Sequence, residues 1–136
     1  MFKMIKEIKH KGKVIAIIYR KKEKEDSIHF LTHEDNNFQV GILNHSKGHV
    51  IPIHLHFPIE RHIIGTDEML YVEKGRMKVL FYSSAGGKIC EEILEKGDLV
   101  NLIHEYHGFE FLQKSRIIYV KQGPYKDKKT DKQILK

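Results

Sequence analysis

Tryptophan is absent from the 136 residues, cysteine occurs once and proline three times. The single Cys90 has no internal disulfide partner, which excludes a disulfide-stapled scaffold and makes a reducing cytoplasm the expected setting. No run approaches the ~18 to 20 apolar residues of a membrane helix. The opening MFKMIKEIKHKGK also lacks the unbroken apolar stretch of a secretion signal. No membrane partner is expected. A chain of this length builds one core, so two-domain enzyme plans are excluded.

The middle of the chain lacks net positive charge. The formal net charge is +6, but residues 1–24 carry nine basic and two acidic groups, residues 25–125 ten and fourteen, and residues 126–136 five and two. Basic character therefore belongs to the two ends, and neither end interleaves its lysines with aromatic residues as a nucleic-acid surface does. No nucleic-acid partner is expected. Residues 1–125 read as one domain, and 126–136 (KDKKTDKQILK) as a mobile basic tail too poor in apolar residues to fold alone. The run 21–26 (KKEKED) reads as a solvated loop.

Alternation of apolar and polar residues with a period of two recurs along the domain. It marks Lys13–Arg20, Phe38–Leu43, His49–His56, Glu68–Glu73, Met77–Tyr82, the stretch around Ile93 and Leu94, Leu99–Ile103 and Ile117–Val120. These runs are β-branched or aromatic and are bounded by Asn44–Gly48, Lys74-Gly75-Arg76, Ser83–Gly87 and Lys96-Gly97-Asp98, which is the pattern of strands joined by tight turns. An all-β sandwich or barrel follows.

Ten histidines are present, and the spacing of a few carries the chemistry. In a strand, His54 and His56 project to one face, with Ile53 and Leu55 on the other. Paired imidazoles fill an apolar interior poorly but hold a divalent metal well, and a carboxylate from a nearby strand, Glu68, completes a facial set.

Here the chain resembles the cupin superfamily, whose first motif reads Gly, five residues, His-x-His, a short gap, Glu, six residues, Gly. Gly48, His54, His56, Glu68 and Gly75 match it, except that eleven residues separate His56 from Glu68 where the family has three or four. Glu60 stands at the family's usual distance, but no glycine lies six residues after it, so Glu68 is preferred and 57–67 reads as a long loop. The second motif is matched by Gly97-Asp98 and by His107, with His104 the alternative, although its Pro-x-Gly is missing and Phe111 replaces its final Asn. The resemblance covers about residues 38–120. It implies a double-stranded β-helix, or jelly roll, with one divalent ion (iron, zinc, nickel or manganese) on His54, His56, Glu68 and His107.

A looser likeness, carried by His107–Glu110 and by Val120–Tyr125, is to small stand-alone cupins of polysaccharide and nucleotide-sugar biosynthesis. It implies a sugar-derived small-molecule substrate, a homodimer made by an N-terminal strand, and an isomerase, epimerase or lyase. An iron dioxygenase and a non-catalytic sensor are the alternatives. Candidate acid–base groups near the metal are His104, Glu105 and Glu110. Arg61 and Glu60, in the loop, are candidates for anchoring substrate, since a guanidinium suits carboxylate or phosphate. If Glu68 faces inward, Leu70 and Val72 do too, and Tyr71 faces out. Phe109 and Phe111 read as core aromatics, Cys90 as an inert strand residue, and His62 as a solvent-exposed loop residue.

Overall fold

The computed structural model describes residues 4–21 and 30–136; most of the charged run 21–26, and His29, lie outside the described residues. The protein is all-β, with two antiparallel sheets. Its strands are β1 (Ile5–His10), β2 (Lys13–Tyr19), β3 (Glu68–Lys74), β4 (Arg76–Tyr82), β5 (Lys88–Glu95), β6 (Leu99–Leu102), β7 (Tyr106–Phe111) and β8 (Arg116–Lys121). The larger sheet has the order β1-β2-β6-β3-β8 and the smaller β5-β4-β7.

Local chemistry explains the hairpins. β1 and β2 are joined by Lys11-Gly12, both at positive φ (49° and 77°), as a two-residue turn matching the twist of paired strands requires. Gly75, at φ 95°, turns β3 into β4, and a Cβ there would lie 2.6 Å from the Cα of Ser115. At the β5–β6 turn the buried Asp98 carboxylate accepts from the Glu95 and Lys21 backbone N–H groups, each at 2.9 Å.

The period-two pattern sorts side chains between two cores. Ala16, Ile18, Leu70, Val72, Val100 and Leu102 of the larger sheet meet Met77, Val79 and Phe81 of the smaller. On the outer face of the larger sheet, Ile17, Tyr19 and Leu99 pack with Leu31, Val40 and Ile42 from the segment 30–42. That segment, expected as a strand over Phe38–Leu43, forms a covering layer with an isolated bridge at Ile42.

The two sheets close on one side. Lys6 of β1 pairs with Glu92 of β5, and Arg20, just after β2, reaches Glu92 at 2.7 Å and the Ile93 carbonyl at 2.6 Å. On the other side β7 and β8 are edge strands, paired to β4 and β3 alone, so the sheets do not close into a barrel.

The expected strand His49–His56 is not formed: residues 49–64 carry no regular structure and are exposed throughout. Among the described residues no strand lies alongside them, and alternation without a partner leaves their backbone groups to water. The tail 126–136, expected to have no fold of its own, forms one helical turn, α1 (Lys128–Asp131), capped by the Asp127 carboxylate on Thr130 N–H. Asp131 is bound to Lys121 of β8 at 2.8 Å, which ties the tail to the larger sheet.

Candidate functional site

Glu68 opens β3 in regular register, opposite Leu102 of β6 and Lys121 of β8. It shares a face with the buried Leu70 and Val72, so its carboxyl points between the sheets. Tyr71 takes the other face and packs into the outer core, as the parity requires. From the smaller sheet, His107 lies opposite the buried Phe81 and so faces Glu68. From β8, Tyr119 lies opposite Leu70.

Three polar groups meet there. The Tyr119 hydroxyl donates to Glu68 Oε2 at 2.6 Å, and His107 Nε2 stands 3.5 Å from Glu68 Oε1, the long end of a hydrogen bond. Burial, the largest influence on Glu68, pushes its carboxyl up; the contacts from His107 and Tyr119 and the electrostatic influence of His107 and Lys121 outweigh it and hold the carboxyl below its ordinary value. Glu68 is therefore a carboxylate at neutral pH. Burial, then the hydrogen bond to Glu68 and its charge, push the Tyr119 phenol well above its ordinary range, so it stays protonated as the donor.

The cluster lines a cavity of about 900 Å³ at the open end of the sandwich. Its lining carries Lys11, Lys13 and Lys132 against Glu68, Glu105 and Asp131, with His10, His104 and His107 beside them. Tail residues Asp131–Ile134 form part of the wall.

The structure sorts the residues expected from sequence. Glu68 and His107 come together, and His104 lines the same cavity. Glu105 also lines it, but its carboxylate accepts from Ser84 N–H at 2.6 Å while its backbone sits at φ 71°, so it acts as a brace between the β6–β7 and β4–β5 turns. Glu110 is corrected as an acid–base candidate. It alternates with His107 and Phe109 on β7, faces away from the cavity and lies 3.6 Å from Lys78. Phe109 packs on the core as expected, whereas Phe111, at the strand end, is 56% exposed. Burial is the main cause that pushes the Cys90 thiol up, which agrees with an inert strand residue. Glu60, Arg61 and His62 are exposed on the segment 49–64 and do not line the cavity.

No protein-family model, curated protein or solved structure matches the chain. The likeness to cupins therefore rests on the motif residues themselves.

Those residues do not assemble a four-ligand metal set in one chain. His54 and His56 are exposed, their rings 5.2 Å apart edge to face, with His54 Nδ1 2.7 Å from the Pro52 carbonyl oxygen. Among the described residues no three histidine, cysteine or carboxylate side chains form a group able to hold a metal ion. One chain offers Glu68 and His107, two of the four donors, and the other two stand on a different part of the surface.

Tyr119 is the functional residue that sequence reasoning missed. Its signal was available: in Arg116–Lys121 it shares parity with Ile117, whose side chain packs on the core.

Proposed function

We propose that the cavity binds a small, oxygen-rich anion such as a sugar-derived hydroxy-carbonyl compound, and that the protein is a cupin-like isomerase or epimerase acting on it. The convergence of Tyr119, Glu68 and His107 on a cavity edged by Lys11, Lys13 and Lys132 carries this reading. A carboxylate beside Nε2 favours the tautomer with the proton on that nitrogen, which leaves Nδ1 as the acceptor. His107 then takes a proton from the carbon next to the substrate carbonyl and returns it to the former carbonyl carbon from the same side, the hydroxyl proton passing to the other oxygen; in epimerisation the opposite face takes its proton from water. Tyr119 keeps Glu68 in place, and the lysines of the rim meet the negative charge that develops on the carbonyl oxygen. A metal-assisted form of this chemistry, or an iron dioxygenase in its place, requires His54 and His56 to reach Glu68 and His107. The same reading takes the two-sheet body as a jelly roll open on one side.

The test is proton exchange. A panel of sugar phosphates and nucleotide-linked keto-sugars is incubated with the protein in D₂O and followed by proton NMR. Loss of a carbon-bound proton is expected for at least one compound, and its rate should fall at least ~100-fold in His107→Ala and Glu68→Gln. A compound that binds without exchange, with the same affinity in both variants, would overturn the proposal. The tail wall favours one second reading, ligand sensing, because an occupant of the cavity would touch residues 131–134.

A further inference from the structure

Residues 49–59 pose a physical problem for a single chain. They contain no Asp, Glu, Lys or Arg. Their odd-numbered side chains, Ile51, Ile53, Leu55, Phe57 and Ile59, form one apolar face in an extended conformation. All five are exposed, Ile53 completely, Leu55 at 83% and Phe57 at 81%. Between residues 50 and 63 the described backbone–backbone hydrogen bonds number one, from Ile59 N–H to the Phe57 carbonyl. Contiguous apolar surface of this kind marks an interaction site.

The body offers a matching vacancy. The sandwich is closed at β1 and β5 but open where β7 and β8 run as edge strands, and apolar side chains are exposed along that margin at Phe111, Leu112, Ile118 and Val120. The β1 edge is a poorer acceptor because Lys6 and Lys9 guard it. The arm's own ends keep it on the outer face of the larger sheet: Ile42 packs in the outer core, and the Ile64 carbonyl accepts from Asn37 Nδ2 at 3.1 Å.

We propose that two copies of the chain form a two-fold dimer by exchanging these arms, residues 49–59 of one adding as a strand to the open β7–β8 margin of the other. Eleven extended residues span ~36 Å, more than an edge strand of this body. With about 100 Å² from each apolar side chain, two arms and the surfaces they cover exceed the ~1,600 Å² of a standard stable interface. The even-numbered face of the arm carries His54 and His56. Exchange sets these two imidazoles beside the Glu68 and His107 of the other copy, completing across two chains the donor set that one chain leaves divided. That last consequence rests on the metal-centred form of the proposed function, whereas the exchange does not.

Light scattering during gel filtration of the full chain tests the exchange. Twice the 16.0 kDa chain mass is expected for the wild type, and a monomer with unchanged far-UV circular dichroism for the Ile53→Asp, Leu55→Asp variant. Should the variant lose its strand signal, hydrogen exchange on the wild type decides. Amides 51–57 are expected to be protected in the dimer and exposed on dilution to monomer. A monomeric wild type, a dimer indifferent to the arm substitutions, or arm amides exchanging freely in the dimer would overturn the exchange.

Mixing resolves the shared site, with zinc as the probe. A His54→Ala, His56→Ala chain and a His107→Ala chain should each fail to hold zinc, and refolding them together should restore zinc to the mixed dimers alone. Absence of zinc from wild type and mixture, with the arm-dependent dimer intact, would overturn the metal reading and leave the exchange supported.

Discussion

Replacing Tyr119 by Phe removes one oxygen and leaves the ring, so it isolates the hydrogen bond to Glu68. The bond is 2.6 Å long and its acceptor is a carboxylate that is mostly shielded from water. Hydrogen bonds to charged groups contribute about 1.5 to 3 kcal/mol when buried. Tyr119 is 49% exposed, and solvent competes for both partners, so the contribution falls below that range, to about 1 kcal/mol. In a domain of this size that lowers Tm by roughly 3–6 °C at pH 7.

The pH dependence gives the sharper test. Glu68 has a depressed folded-state pKa, so its contribution is present above its unfolded value, near 4.5, and is lost as pH falls through the folded value. The Tyr119 phenol is raised, so its contribution is present below about pH 10 and is lost as pH climbs beyond that. The gap between wild type and Tyr119→Phe should therefore be widest near neutrality and narrow toward both extremes. Paired urea denaturation curves between about pH 3 and 11 measure it. A gap that is constant in pH, or that widens in acid, would refute the claim that the phenol stabilises an ionised Glu68.

The proposed metal reading predicts that near-stoichiometric metal, measured by elemental analysis of the purified protein, disappears in the His54→Ala, His56→Ala variant; an unchanged content sinks the assignment. Glu110→Gln should leave the rate of proton exchange unchanged and shift stability by no more than about 0.5 kcal/mol, whereas Glu68→Gln should slow that exchange at least ~100-fold. Gly75→Ala must hold φ 95° and push against the Ser115 backbone, so a loss of about 2 kcal/mol is expected in denaturant unfolding.

The fold was legible wherever a strand finds its partner within the chain. Alternation located β2, β3, β4, β6 and β8 to within a residue or two, and Gly75 and the Gly97-Asp98 pair marked their turns. It missed β1, whose sequence IKEIKH buries Ile8 alone, with Ile5 half-buried against the outer core and charged residues at the other positions but His10. It also missed β7, where Gly108 and Glu110 interrupt an aromatic run. Phe38–Leu43 shows the limit of periodicity: Val40 and Ile42 are half-buried and Leu43 exposed, as alternation expects, but by lying across a sheet instead of joining it.

The candidate site divides along the same line. Glu68 was legible because it opens a strand whose parity the buried Leu70 fixes, whereas His107 was singled out by the motif resemblance alone, since alternation missed β7. Glu110 was misplaced because its distance from His107 in sequence was taken for closeness in space, although an odd offset on a strand puts it on the opposite face. His54 and His56 carry the strongest motif in the sequence and stand on the most exposed segment of the structure. Alternation reports that a segment will be half buried in a sheet; nothing in it specifies whose sheet. Residues 49–56 are thus a strand expected and not formed, and the question they pose is one of assembly: among the described residues no strand of this chain lies beside them, and the proposed exchange supplies that neighbour from a second copy.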